Sequence, residues 1–205
     1  MNETTVKAPT RDRLLDAAAQ LFYREGVSVG IDALCKAAGV SKRSMYQLFT
    51  SKDEVIAASL ERNAPAVQGE ILPDPQDRRP PRERILHVFE RLEQLAASPG
   101  YLGCPYVSTA TEVKSSDHPA ALVARHWKDA LTEFFRAEAE RAGAADPELL
   151  AQQLTIVFDG ASARSVVQAS ALNGLAVTTA TLLLDNAGLD ARNRAGALPA
   201  EPNIG

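Results

Sequence analysis

A stretch between two acidic residues carries side chains that could bind a polyanion. No acidic residue lies between Asp32 and Asp53, and the charged residues of this interval are all basic: Lys36, Lys42, Arg43 and Lys52. Uncharged donors stand among them, at Ser41, Ser44, Tyr46 and Gln47. Cations with hydroxyl and amide donors bind phosphate oxygens, and Arg and Gln also read base edges. The chemistry indicated is nucleic-acid binding.

The residues before this stretch predict a short helix that ends in a tight turn. Apolar residues recur there at helical spacing, at Ile31, Leu34, Cys35 and Ala38. Gly39 follows, and glycine adopts the positive φ of a helix-ending turn without steric cost. The pattern predicts one helix that ends at about residue 38.

A second short helix is predicted directly after the turn. The Ser41 hydroxyl can cap it, and Val40 is placed to pack on Met45 as a hydrophobic staple. We expect Met45, Leu48 and Phe49 to face inward, which leaves the polar residues outside. Two short helices joined by a glycine-containing turn form a helix-turn-helix, whose second helix enters a DNA major groove.

An ordinary helical hairpin with solubilising lysines is the alternative to a DNA-binding unit. The cap, the staple, the turn glycine and the outward Tyr46 and Gln47 together favour DNA binding. Ser51 to Glu54 then forms a capping box that opens a fourth helix. Lys52 lies in its first turn, where it could reach a phosphate.

Composition places the whole chain among helical proteins. Of its 205 residues 45% are hydrophobic, aromatics are few, and sustained Val/Ile/Thr alternation is absent. We therefore predict an all-α fold of about nine helices. Residues 1–62 hold nine Lys/Arg against eight Asp/Glu, whereas the remainder holds 13 against 18, so the first part alone is suited to DNA. The polar N-terminus and the lack of a long apolar run predict a cytoplasmic protein without membrane association.

The segment AAGVSKRSMYQLFTSKDEV resembles the recognition segment of the TetR/AcrR family of bacterial transcriptional regulators. The resemblance covers about residues 11–61 and has three departures: Gly30, where a capping Thr or Ser is common, Arg43, where a small residue is common, and Leu48, where a polar residue is common. It implies a helix-turn-helix DNA-binding domain at 8–62 and a helical ligand-binding and dimerisation domain at 63–205. It also implies that Tyr46 and Lys52 contact the DNA backbone. A weaker likeness continues at Gly103–Val107, His118-Pro119 and Asp159–Ala161.

Catalytic and metal-binding chemistry is less well supported. Cys104 could be a nucleophile with His87 or His118 as its base, but the spacing brings no orienting group or oxyanion donor to the thiol. His118 and His126 are eight residues apart, which is not a metal-ligand spacing. We expect no enzyme activity, no cofactor and no metal.

Five aromatic residues are candidates for a ligand cavity: Phe89, Tyr101, Tyr106, Trp127 and Phe158. Aromatic residues at helical spacing are as often core as cavity lining, and the family resemblance is what implies a small effector. The last two predicted helices are apolar and rich in Ala, Gly and Ser, so they either finish the monomer core or pair two subunits. Since a helix-turn-helix reads two half-sites, we favour a homodimer.

These inferences predict a homodimeric transcriptional regulator, most simply a repressor that a small-molecule effector releases from a palindromic operator. The DNA-binding residues are Ser41, Lys42, Arg43, Ser44, Tyr46, Gln47 and Lys52. The alternative is a helical small-molecule sensor or enzyme that uses the C-terminal pocket without DNA binding. Retention of the basic residues and of Tyr46 argues against that alternative.

Overall fold

A computed structural model describes residues 8–189 of the chain, and within them every regular element is an α-helix. The nine helices are α1 (Thr10–Glu25), α2 (Ile31–Ala38), α3 (Lys42–Leu48), α4 (Lys52–Ile71), α5 (Pro81–Ala96), α6 (Pro105–Val113), α7 (Pro119–Ala142), α8 (Pro147–Val167) and α9 (Leu175–Asn186). The all-α prediction and the helix count are confirmed for these residues. None of the described helices is both long enough and apolar enough to cross a membrane.

Residues 8–70 and residues 99–129 form one compact unit, called unit 1 below. In it α1 packs on α2 and α3, and α2 packs on α3. The small core between these three helices is completely buried at Leu14, Leu15, Leu34 and Met45. Burial of such side chains contributes roughly 1.5–3 kcal/mol each, which makes this core the platform that orients α3.

Helix α6 and the segment before it bond to the first part of unit 1: the segment bonds to α1, and α6 bonds to the turn after α1 and to α4. The Tyr23 hydroxyl donates to the carbonyl of Gly103 at 3.1 Å and accepts from the amide of Leu102 at 2.7 Å. The amide of Val27 donates to the Glu112 carboxylate at 2.7 Å. These long-range bonds place α6 beside the first helices of the chain, although the predicted boundary assigned it to the second domain. The boundary predicted between residues 62 and 63 stays a prediction.

Gly26 shows how closely α6 approaches the turn after α1. Its φ of 81° lies in the left-handed region, and a Cβ at this position would come within 2.6 Å of the Glu112 carboxylate. Glycine therefore serves both the backbone conformation and the close approach of the Glu112 side chain.

Residues 71–98 and 130–189 form the second compact unit, unit 2. Here α5 packs on α8 and α9, and α8 packs on α9. Phe89 stacks on Phe135 with ring centroids 5.6 Å apart. A buried ion pair joins Arg84 Nε to Glu138 at 2.9 Å, and Arg84 also donates to the Asp77 carbonyl at 2.7 Å. These bonds hold the proline-rich connector that leads into α5.

Candidate nucleic-acid interface

The turn before α3 has the conformation that its sequence predicts. Gly39 ends α2 in the left-handed region, with φ 62° and ψ 40°. The Ser41 side chain accepts a hydrogen bond from the Ser44 amide at 3.0 Å, so the predicted N-cap is confirmed. The Ser44 hydroxyl lies 2.8 Å from the Ser41 hydroxyl. Both serines therefore fix the start of α3.

Helix α3 presents a polar face to solvent. Lys42, Arg43, Tyr46 and Gln47 are exposed, and Tyr46 keeps 52% of its surface accessible. On the opposite face Met45 is completely buried and Phe49 is 3% exposed. The predicted DNA-binding side chains of α3 thus share one surface, which offers donors of the kinds that bind phosphates and base edges.

The prediction that Leu48 faces inward is wrong, because this side chain is 40% exposed. The helix ends at this residue, and the next backbone position, Phe49, is extended with φ −141° and ψ 139°. This change of direction turns the Phe49 ring into the core and leaves Leu48 on the outside. An exposed leucine beside Gln47 has the apolar character that suits contact with a thymine methyl group.

Lys42 has a close acidic partner that the charge pattern did not reveal. Its ammonium lies 2.7 Å from the Asp32 carboxylate of α2, and both side chains are largely exposed. The hydrogen bond that this ammonium donates to Asp32 raises the pKa of Lys42. Arg43 is exposed beside it and forms no ion pair with the described residues. Of the two cations of α3, Arg43 is therefore the one whose charge is not paired with a described carboxylate.

Lys52 is half-buried and points to the turn between α1 and α2. Its ammonium donates to the carbonyls of Val27 and Val29, at 2.8 and 3.3 Å. An ammonium has three donors, so these bonds leave one for a phosphate.

The capping box that opens α4 is confirmed in its first half, where the Glu54 amide donates to the Ser51 hydroxyl at 3.2 Å. The Glu54 carboxylate returns one residue further than predicted and accepts from the amide and hydroxyl of Thr50, at 2.7 and 2.9 Å. These two bonds lower the pKa of Glu54. They tie the end of α3 to the first turn of α4.

Two of the residues considered for catalysis, His118 and Cys104, each lie directly before a helix. His118 precedes α7, where its Nδ1 accepts from the Ala120 amide at 3.1 Å, and its Nε2 lies 3.4 Å from the Asp53 carboxylate. Cys104 is the N-cap residue of α6 and is partly exposed. Among the described residues no group of three or more His, Cys, Asp or Glu side chains could hold a metal ion.

The five aromatic residues predicted to bind a ligand lie in both units. Tyr106 and Trp127 are buried in unit 1 and stack with centroids 4.6 Å apart, while the half-buried Tyr101 precedes α6. Phe89 and Phe158 are buried in unit 2. The stack joins Tyr106 and Trp127 directly, and a ligand role for the set stays a prediction.

Comparison with known proteins finds a family and a solved structure to which this chain is similar. Residues 14–59 match the family described as bacterial regulatory proteins, tetR family. A Streptomyces avermitilis protein classed as a tetR-transcriptional regulator, sav143, has a crystal structure that is 56% identical in sequence. It superposes with a TM-score of 0.87, and the match covers 89% of this chain and 100% of that one.

Two curated relatives match over part of the chain. The uncharacterised HTH-type transcriptional regulator Rv1255c of Mycobacterium tuberculosis is 37% identical over 76 residues, which is 37% of this chain and 38% of that protein. The HTH-type transcriptional regulator UidR of Escherichia coli is 38% identical over 58 residues, covering 28% of this chain and 30% of UidR. The chain thus spans about a third of the length of these curated relatives.

Proposed function

The chain belongs to the TetR family of transcriptional regulators, and on that premise we propose that it is a homodimeric repressor that leaves its operator when a small effector binds. Such a protein acts through binding and not through catalysis, in the cytoplasm where the DNA is. The observation that carries the proposal is the exposed polar face of α3, which stands on a buried core.

DNA recognition follows from the order of side chains along α3. Arg43 lies near the start of the helix, where side chains of a docked recognition helix reach base edges, and its guanidinium suits the O6 and N7 atoms of guanine. Tyr46 and Gln47 lie one turn later, with Leu48 exposed at the helix end. We assign base reading to Arg43 and Gln47, and backbone contacts to Ser41, Lys42, Ser44, Tyr46 and Lys52.

The surface of α8 and α9 supports a dimer. Ile156 and Val167 of α8 are 71% and 78% exposed, and Leu182 of α9 is 64% exposed. Leu149 and Leu175 are about half exposed on the same two helices, which pack on each other. An apolar surface of this kind is typical of a protein–protein interface. A second copy covering it would generate the two-fold symmetry that a palindromic operator requires.

Release by an effector requires that the ligand bind two conformations with different affinity. Within unit 1 the Tyr106 hydroxyl donates to the Leu60 carbonyl of α4 at 3.3 Å, and Glu112 accepts from the Val27 amide before α2. A ligand that shifts α6 would therefore act on the helices that support α3. A coupling of about 1–3 kcal/mol is enough for regulation.

Selection of binding sites from sheared genomic DNA tests the proposal. Purified protein should enrich fragments that share an inverted repeat, and footprinting should show two half-sites with centres about 34–36 Å apart or a multiple of that distance. Arg43→Ala should enrich the same repeat with one base pair of each half-site no longer specified. Enrichment of fragments without a repeated half-site would contradict the dimeric repressor.

A further inference from the structure

The carboxylate of Glu112, in the last turn of α6, bonds to the backbone of the turn that precedes α2. Its Oε2 atom accepts a hydrogen bond from the amide of Val27 at 2.7 Å. The Glu112 side chain is exposed and forms no ion pair with the described residues. A carboxylate in the last turn of a helix is disfavoured by the helix dipole, so α6 itself does not stabilise this charge. The contact that favours it is the one to Val27.

The residue before Val27 leaves room for this carboxylate. Gly26 has a φ of 81°, and a Cβ atom there would lie only 2.6 Å from Oε2 of Glu112. Any other residue would therefore displace the carboxylate. Glycine, however, also allows the backbone of the turn many conformations. The bond from Glu112 thus fixes a segment that its own sequence leaves mobile in the absence of such a contact.

Lys52 of α4 holds the same residue of the turn from its other side. The Lys52 ammonium donates to the carbonyl of Val27 at 2.8 Å and to the carbonyl of Val29 at 3.3 Å. Glu112 therefore engages the N–H group of Val27, while Lys52 engages its C=O group. A single backbone residue connects a side chain of α6 to a side chain in the first turn of α4.

The helix that carries the carboxylate is itself supported within unit 1. The Tyr23 hydroxyl of α1 accepts from the Leu102 amide at 2.7 Å and donates to the Gly103 carbonyl at 3.1 Å, just before α6 begins. The Tyr106 hydroxyl of α6 donates to the Leu60 carbonyl of α4 at 3.3 Å. These bonds hold α6 on α1 and α4, so its last turn presents the carboxylate from a fixed base.

A lysine binds a phosphate more tightly when its ammonium is held in place beforehand. The lysine side chain is long and flexible, and ordering it during binding costs affinity. Here the carbonyls of Val27 and Val29 hold the Lys52 ammonium and leave one of its three N–H donors for a phosphate. If the turn moves, both carbonyls move with it. The position of that remaining donor therefore depends on the contact that fixes the turn.

We propose that Glu112 is a positioning residue for DNA binding: its bond to Val27 fixes the turn before α2, and the turn carbonyls hold the Lys52 ammonium ready for a backbone phosphate. The inference rests on the backbone contact assigned to Lys52 under the proposed function. It adds to DNA binding a residue of α6, which lies outside the helix-turn-helix. Because it does not depend on the dimer, the operator or the effector, duplex DNA of random sequence is enough to test it.

Two substitutions separate the bond of Glu112 from its charge. Glu112→Ala and Glu112→Gln both remove a negative charge, which by itself favours binding to a polyanion, but only glutamine keeps an acceptor for the Val27 amide. Fluorescence anisotropy with a labelled random duplex should show binding about fivefold weaker for Glu112→Ala and within about twofold of the parent for Glu112→Gln. Glu25→Ala removes the same charge from an exposed position near the turn and should not weaken binding. Equal affinities of the alanine and glutamine variants would overturn the positioning role.

The Lys52→Ala background tests the route through Lys52. There Glu112→Ala and Glu112→Gln should bind DNA equally within about twofold, because the ammonium that Glu112 positions is gone. With Lys52 present, the alanine variant should also have a smaller negative salt slope than the glutamine variant, which a loss of stability alone would not produce. An equal difference between the two variants in both backgrounds would overturn the inference and leave the proposed function intact. An unchanged salt slope in Lys52→Ala would remove the proposed backbone contact and the inference with it.

Discussion

The ammonium group of Lys52 lies 2.8 Å from the carbonyl oxygen of Val27 and donates a hydrogen bond to it. This contact ties the first residue of α4 to the turn between α1 and α2, 25 residues earlier in the chain. A residue expected at the DNA backbone is thus also part of the support of the helix-turn-helix. The structural role predicts an effect of Lys52→Ala on stability, and the DNA-binding role predicts an effect on affinity.

Lys52→Ala should lower both stability and DNA affinity. Loss of the half-buried charged donor leaves two carbonyls without it, so the free energy of unfolding should fall by about 1–2 kcal/mol in urea titration. The magnitude of the negative slope of log K against log salt should fall by about one, equally for operator and random DNA. Lys36→Ala, on the exposed face of α2, is the control for stability. An unchanged salt slope would limit Lys52 to its structural role.

Arg43→Ala should relax sequence preference at one base pair of each half-site. A bidentate arginine contributes about 1–3 kcal/mol of discrimination for guanine over other bases. Binding to a complete set of single-base operator variants measures this loss. Equal weakening for every variant would reassign Arg43 to the phosphate backbone.

Asp32→Asn should strengthen binding to random DNA. The carboxylate of Asp32 engages Lys42 at 2.7 Å and is itself a negative charge near the DNA-facing surface. Its removal frees the ammonium, so the magnitude of the negative salt slope should rise by about one. Glu61→Gln removes an equal charge from an exposed position on α4 and is the control. Weaker binding in Asp32→Asn would mean that the ion pair positions Lys42 for its contact.

Glu93→Ala should destabilise α9. The carboxylate of this α5 residue accepts from the amides of Gly174, Ala176 and Val177, at 2.7, 2.9 and 3.1 Å, and so caps the positive end of α9. We expect a loss of about 2–3 kcal/mol of unfolding free energy, and about half of that for Glu93→Gln. Glu90→Ala, exposed on α5, should change little. Equal losses for alanine and glutamine would show that the amide of glutamine cannot replace the cap.

Ile156→Glu and Leu182→Glu should produce folded monomers. Both side chains are mostly exposed, so a charge costs little in one chain but must be buried when two chains pair. Light scattering should report half the parent mass, with greatly reduced operator affinity. Leu122→Glu places the same charge on an exposed site of α7 and should stay dimeric. A monomeric variant that binds the operator as tightly as the parent would contradict the dimeric repressor.

Local signals in the sequence determined the elements of the DNA-binding surface. Gly39 adopts the left-handed turn, and Ser41 caps α3 through the Ser44 amide, because each depends on residues at most four positions away. Asp146 caps α8 for the same reason, by accepting from the Leu149 amide at 3.0 Å. Helical periodicity likewise predicted the all-α fold, since a buried stripe repeats every few residues whatever it packs against.

Tertiary structure alone decided the partner of Lys42. Lys42 and Asp32 come together because α2 and α3 pack on each other. The charge pattern of the sequence, by contrast, indicates that Lys42 is available to bind DNA. The place of Leu48 depends on the extended backbone at Phe49, which periodicity does not predict. Tyr23 of α1 bonds to Leu102 and Gly103, 79 and 80 residues later in the chain, only when the segment before α6 packs on α1. Contacts between residues far apart in sequence depend on packing, and packing is set by the whole set of helices rather than by any one of them.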